Sequence, residues 1–372
     1  MRIALVSPFS PLKGGIAACS EEFSQALHHA GHEVLTVPFK KLYPSFLFSL
    51  DSSSIPNNAR LVLYNPLTWF SALRHIRRQK PDLLVIAYWG GLLAPLALLF
   101  SRFSGVRTIL LLHNLTAHET FVGERALARW LLSSVAGVVT LSQTVSRQVQ
   151  HITPSLPTLT LFHPIQQHSL STLSKEEARQ QLTLTSDAPV LLFFGYVRHY
   201  KGLDLLLQAL PHVVAQEPTL HVVVAGYFYE PLERYQQLAE RLGIARNITF
   251  HAGYVPSEQV TALFCAADGV VLPYRAATQS GVVPMAFAYG VPVIVTPVGA
   301  LSEMVQHNVT GWIANTASPE ALADALTAWL ANRERWSAMR SSIEAARSNA
   351  SWERFALECQ PFFASFLDKG SR

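Results

Sequence analysis

Two cations three residues apart open the functional reading of this chain. In FFGYVRHYKGLDLLL, residues 193–207, an apolar strand over Val190 to Phe194 ends at Gly195, a short loop carries Arg198 and Lys201, Gly202 closes it, and a helix starts at Leu203. Fixed cations at a strand-to-helix corner suit a developing anion such as the diphosphate that leaves a sugar nucleotide, and they need no metal to do it. At an effective dielectric near 20, one close charge pair is worth about 4 kcal/mol. A pair of ordinary surface charges on a loop is the competing reading. A second candidate is Thr278-Gln279-Ser280-Gly281-Val282-Val283, between a strand over Val270 to Leu272 and an apolar helix reaching Tyr289. Helix-start N–H groups face anions and Gly281 permits close approach, although Ser-Gly also begins helices for capping alone.

The elements that must position these residues follow one grammar. A strand at Arg2 to Val6, a loop, a helix from Ile16 to Ala30 and a strand at Val34 to Val37 form a βαβ unit. All-apolar strands are expected at 61–63, 83–87, 108–112 and 137–141, each separated by helix-length segments, which implies parallel sheets covered on both faces. Residues 151–187 lose periodicity and gain prolines, placing a linker near 163–172. Strand and helix alternation then restarts from Val190 to Thr296, after which the chain reads as mostly helical. The last helix, over 352–367, carries Phe355, Phe362, Phe363 and Phe366 and needs a surface to cover. The expected fold class is α/β: two Rossmann-like, doubly wound parallel-sheet domains facing a cleft between them, over 1–168 and 169–351.

Composition narrows the function classes. Apolar residues make up 49% of the 372 and charged residues 15%, so the chain is globular and not disordered. Cys19, Cys265 and Cys359 are odd in number and far apart, with no CxxC or Cys/His metal spacing, which fits a reduced cytoplasmic setting and no resident metal or cofactor. The opening apolar run, Ile3 to Val6, is too short for a secretory signal, so no export is expected. Leu83 to Phe100 is eighteen residues without a charge, close to the ~20 that span a bilayer, but Gly90-Gly91 splits it into strand, turn and helix. The net charge of +4 is uneven: residues 1–168 carry 14 Lys/Arg against 7 Asp/Glu, and the rest 15 against 18. Arg74, Arg77, Arg78 and Lys80 follow Trp69 and Phe70, and Lys40-Lys41 precede Tyr43 to Phe48. Basic and aromatic residues together suggest anionic lipid headgroups, with a solvated helix face as the plain alternative. No nucleic-acid motif accompanies the charge.

The sequence of FGYVRHYKG, VVVAG, HAGYVP, LPYRAATQSGVVPMAFAYGVPVIVTPVGALSEMV and TGW resembles the C-terminal half of the family 4 retaining glycosyltransferases, which have the GT-B fold. SPFSPLKGGIA, GHEV and LLHN followed by HE are similar to its N-terminal half. The resemblance implies metal-independent, retaining transfer from a nucleotide diphosphate-sugar, bound by the second domain, to an unknown glycan or lipid-linked acceptor on the first. It implies cell-surface polysaccharide or glycolipid synthesis at the inner face of the cell membrane, and a terminal helix that crosses back to the first domain. By position, Arg198 and Lys201 hold the diphosphate, with Gly14 and Gly15 beside it. His113 contacts the transferred sugar, the amides of Gly281, Val282 and Val283 complete the cradle with Gln279 and Ser280, and Gly195, Gly226 and Glu303 fall on family binding positions. Read singly, His113 and His118 could be plain loop residues and Gly14-Gly15 a plain turn.

One departure matters. The family carries two glutamates eight positions apart, and here Ala277 and Met285 stand in their places. Gln279 offers hydrogen bonds to sugar hydroxyls, whereas Met285 offers nothing comparable to a ribose hydroxyl. A protein that keeps the fold but only binds a partner is therefore a second reading. A nicotinamide dehydrogenase is a third, weakened because no GxGxxG follows the first strand.

Overall fold

In the computed structural model, residues 1–12, 14–42, 59–115, 123–165, 173–185 and 187–367 are described. They form two compact units, Met1–Pro164 with Ala350–Arg372, and Ile165–Asn349.

The first unit is built on a seven-stranded sheet in the order β3-β2-β1-β4-β5-β6-β7. Its strands are β1 (Arg2–Ser7), β2 (Glu33–Lys41), β3 (Leu61–Val62), β4 (Leu83–Tyr88), β5 (Thr108–Leu112), β6 (Gly137–Thr140) and β7 (Thr158–Thr160), all parallel. β4 and β5 are buried at every position, as helices on both faces require. One face is covered by α2 (Pro66–Gln79), α3 (Ala94–Phe103), α4 (Glu124–Leu132) and α5 (Gln143–Ile152). The other takes α1 (Gly15–His29) and the terminal helix α14 (Trp352–Ala364). Ser351 caps α14 by accepting from the Arg354 N–H, and Trp352 and Phe355 then pack on Phe23 with centroids 5.7 and 5.6 Å away. Phe362 and Phe366 lie so close over Gly137 that a Cβ there would meet the Phe366 ring at 2.8 Å.

The second unit carries six parallel strands in the order β10-β9-β8-β11-β12-β13. These are β8 (Val190–Phe194), β9 (His221–Gly226), β10 (Ile248–Ala252), β11 (Gly269–Leu272), β12 (Val293–Val295) and β13 (Gly311–Ile313). Its helices are α6 (Lys175–Gln181), α7 (Leu203–Gln216), α8 (Leu232–Arg241), α9 (Ser257–Ala266), α10 (Val282–Ala288), α11 (Leu301–Met304), α12 (Pro319–Ala331) and α13 (Trp336–Asn349). At the strands' amino ends the buried Asp268 carboxylate accepts from Arg179 Nη2 at 2.8 Å, from the Val190 N–H at 2.8 Å and from Lys175. That node ties α6 to β8 and β11 on the edge opposite the strand carboxyl ends.

Four elements differ from the expectation: β7 and α6 lie within the stretch read as aperiodic, β13 lies in the tail read as helical, and the last helix ends at Ala364 and not at 367. β7 and β13 are three-residue edge strands, too short to establish a period of two. The stretch 83–100 splits into β4, a 3-10 turn over Gly91–Leu93 and α3, and no helix among the described residues is long and apolar enough to cross a membrane. The expected linker lies partly outside the described residues, as do His118 and Tyr43 to Phe48.

Candidate active site

In the second unit the strand order reverses between β8 and β11, and open α/β sheets bind ligands at the strand carboxyl ends of such a switch point. The loops leaving these two strands carry the expected anion-binding residues, and they are fastened to each other. Gly202, at φ 66°, lies against Pro273: a Cβ at Gly202 would fall 2.0 Å from the Pro273 carbonyl oxygen. The Arg275 N–H donates to the Tyr200 carbonyl at 2.7 Å and its Nη1 to the His199 carbonyl at 3.1 Å. The same guanidinium grips Asp204, at the first turn of α7, with two bonds of 2.7 and 2.6 Å. Burial pushes the Asp204 carboxyl up, and the two bonds from Arg275 outweigh it, holding it below the usual carboxylate range.

Within this clamp, Lys201 is buried at 8% exposure, its ammonium 5.1 Å from the Tyr274 ring centroid. Burial alone would lower its pKa, but the phenols of Tyr274, Tyr200 and Tyr196 more than offset this and raise it, so Lys201 is a cation at neutral pH. Its Nζ lies 3.2 Å from the position of a Cβ on Gly195, and a methyl of Val282, the first residue of α10, lies 3.9 Å from the same point. The end of β8, the buried cation and the start of α10 thus converge on one spot. Arg198 is half-buried, its guanidinium 4.0 Å above the Tyr229 ring.

The loop before α10 departs in part from the expected cradle. The Val282 N–H already donates to Ser280 Oγ at 3.3 Å, and Val283 is fully buried in the seven-residue α10. Gly281 is exposed, with no heavy atom within 4 Å of a Cβ position, and Gln279 is half-buried. Ala277 is buried, its carbonyl so close beneath Gly299 that a Cβ on that glycine would fall 1.5 Å away. Met285 is half-buried on α10, and Glu303 is exposed on α11. Gly226 has a packing role: its Cβ would sit 1.9 Å from the Gly195 carbonyl oxygen, so its bareness lets β9 approach the end of β8.

The first unit reverses its strand order between β1 and β4. Gly14, at φ 134°, caps α1 and Gly15 begins it, and a Cβ on either would meet no described residue within 4 Å. His113 follows β5, its N–H donating to the Tyr88 carbonyl at 2.8 Å. Its side chain is buried, and Nε2 has no hydrogen-bond partner among the described residues. Burial, and then the neighbouring His163, drives its pKa down to about 3, so the ring is neutral at physiological pH. His163 Nδ1 donates to the Pro164 carbonyl at 3.1 Å, an acceptor that fixes this tautomer. Among the described residues no three His, Cys, Asp or Glu side chains gather in a way that could hold a metal ion. Sequence reasoning missed the Arg275–Asp204 clamp, Tyr274 and His163. KGLD and PYR stand 71 residues apart, and nothing in either marks them as neighbours.

Two doubly wound parallel sheets, the second with a buried lysine at its switch point, fit the GT-B fold. Residues 13–156 match the family model Glycosyltransferase Family 4, and residues 174–348 match Glycosyl transferases group 1. The chain belongs to the group 1 glycosyltransferases. It is 30% identical over 196 residues to a D-inositol 3-phosphate glycosyltransferase of Corynebacterium urealyticum, covering 51% of this chain and 46% of that protein. It is 37% identical over 191 residues to its counterpart in Geodermatophilus obscurus, covering 48% and 40%. The chain thus spans less than half the length of these relatives. Similar solved structures include a sucrose-phosphate synthase from Thermosynechococcus elongatus, with a TM-score of 0.72 at 19% identity over 99% of this chain and 100% of that one. The HepE protein of Anabaena in complex with UDP-glucose gives 0.73 at 17%, over 98% and 100%.

Proposed function

We propose that this protein transfers a sugar from a nucleoside diphosphate-sugar, held by the second unit, to an acceptor glycan or lipid-linked glycan bound by the first, with retention of configuration. The observation that carries this is the convergence of Lys201 Nζ, the Gly195 backbone and the start of α10 at a switch point clamped by Arg275. A structural neighbour solved with UDP-glucose supports a donor of this class.

As the glycosidic bond breaks, negative charge grows on the diphosphate. Lys201, already charged and desolvated, meets that charge without reorganising, which lowers the barrier where it forms. In a retaining reaction on one face of the sugar, an oxygen of the departing phosphate takes the acceptor's proton, so no side-chain base is required. Neutral His113 contributes a hydrogen bond through Nε2 to a sugar hydroxyl and brings no charge that would oppose the oxocarbenium-like centre. Gly14 and Gly15 leave backbone room for the phosphate, and no metal or cofactor is assigned a step.

The acceptor belongs to cell-surface polysaccharide or glycolipid synthesis at the inner membrane face. On α2, Leu67 and Phe70 are 79% and 54% exposed beside the exposed Arg74, Arg77 and Arg78, a pairing suited to an anionic lipid surface. Reversing these three charges should release the protein from anionic vesicles in cosedimentation.

A screen of nucleotide-sugars for turnover, run alongside calorimetry with nucleoside diphosphates, tests the main reading. Turnover with one donor is expected. Binding without turnover on any donor and acceptor, or no nucleotide binding at all, counts against transfer and favours the fold-retaining partner-binding protein suggested by Ala277 and Met285.

A further inference from the structure

Beyond the ends of β8 and β9 the chain continues as a short two-stranded ribbon. Val197 and Phe228 form a parallel bridge, with the Val197 N–H donating to the Tyr227 carbonyl at 2.8 Å and the Tyr229 N–H to the Val197 carbonyl at 3.0 Å. Side chains alternate along extended backbone. Val197 is fully buried, and Phe228 packs inward against Tyr235 and Phe250 at 5.8 and 6.4 Å. The opposite parity therefore turns outward and carries Tyr196, Arg198, Tyr227 and Tyr229. The three tyrosines are 47, 48 and 39% exposed, an uncommon cluster of large rings at a surface. They meet edge to face, Tyr196 on Tyr229 at 5.7 Å and Tyr227 on Tyr229 at 5.3 Å, and the Arg198 guanidinium over Tyr229 holds that ring in place.

We propose that this ladder is a stacking platform for the donor's nucleobase. The inference rests on reading Lys201 as the diphosphate site. A nucleoside diphosphate presents a flat ring and a double anion joined by one ribose, and the ladder begins at Tyr196, directly after the Gly195 against which Lys201 Nζ lies. Stacking is also the interaction this site needs. Met285, half-buried on α10, supplies no strong acceptor for a ribose hydroxyl, so a stacked ring is a contact that adds nucleoside affinity without one. A ring face offers it to any base. The planar Arg198 guanidinium, stacked on Tyr229, belongs to this platform.

Calorimetry on the full chain with UDP, ADP and inorganic pyrophosphate tests this. Tyr227→Ala and Tyr229→Ala are each expected to weaken both nucleotides roughly five- to hundredfold, to leave pyrophosphate within about twofold, and to be rescued by Tyr229→Phe at the second position. Lys201→Met is expected to weaken all three. Alanine variants that bind both nucleotides as the wild type does overturn the platform while leaving the diphosphate site standing. So does a rise confined to the acceptor's KM, which would make the ladder an acceptor subsite. A wild-type protein that binds none of the three ligands overturns the diphosphate reading and the platform together.

Discussion

The two switch points of this chain share a topology and differ in how their glycines are used. In the second unit Gly202, Gly226 and Gly299 are each pressed against another segment's backbone, with Cβ positions 2.0, 1.9 and 1.5 Å from a carbonyl oxygen. In the first, Gly14, Gly15 and Gly90 look into open space. Gly281 apart, the same residue type answers to the protein's own packing in one corner and meets none of the described residues within 4 Å in the other. The cations divide the same way. The second unit buries Lys201 at its switch point, while the first places a neutral, buried His113 near its own. One corner presents a buried cation; the other presents a buried, neutral imidazole.

The sharpest break of that contrast is removal of the buried charge. Lys201→Met keeps the length of the side chain and much of its packing, so the fold should survive and turnover should fall roughly 100- to 1,000-fold, with Arg198→Ala showing a smaller loss through nucleotide binding. Steady-state kinetics beside a thermal melt decide it. Turnover near the wild-type value in the Lys201 variant would dismiss the lysine from the chemistry.

Glycine substitutions divide the two corners next. Gly226→Ala drives a Cβ into the Gly195 carbonyl at a φ of 148°, and should destabilise the second unit by about 3 kcal/mol in urea unfolding. Gly15→Ala should leave stability within about 0.5 kcal/mol, because no described residue lies within 4 Å of the added methyl, and the proposed placement of Gly15 beside the phosphate predicts a raised donor KM. Equal effects on stability at the two positions would erase the distinction.

Between these sits the Arg275–Asp204 clamp. Arg275→Gln and Asp204→Asn should each lower kcat/KM for the donor about tenfold, and the double variant should lose little more than either single one, since both cut the same link between the Lys201 loop and the loop before α10. Additive losses in kcat/KM would show that the two residues act separately.

How much of this was written in the sequence depends on the length of the element concerned. β1, β4, β5, β8 and β9 are runs of four to six apolar residues ended by a polar or glycine-containing turn, and they read as buried parallel strands because both faces are covered. β7 and β13, three residues each, gave no pattern to read. The strand-loop-helix corner at Gly195 to Leu203 was legible. The burial of Lys201 and the stacking of Arg198 on Tyr229 were not, because position along a loop says nothing of rotamer. The tyrosine ladder needed the pairing of 196–198 with 227–229, a register set by two strands far apart in the chain, and Asp204 with Arg275 needed the reversal of strand order that brings β11 beside β8.

The smallest effect comes from His113 and has a definite sign. In the unfolded chain an imidazole takes up a proton near pH 6.5; in the folded first unit burial delays this to about 3. Between those values the unfolded state binds more protons, so stability is full above about pH 6.5 and is lost as the pH falls toward 3. His163, lowered by burial as well, adds a contribution of the same sign. His113→Gln keeps a polar amide in the site and removes one of these protons. Its loss of stability between pH 7.5 and pH 5, followed by urea unfolding of the first unit, should be smaller than the wild type's by about 1–2 kcal/mol. The same pH dependence in both proteins would mean that His113 is protonated in the fold at pH 5, and with that the description of a neutral imidazole facing the sugar would have to be abandoned.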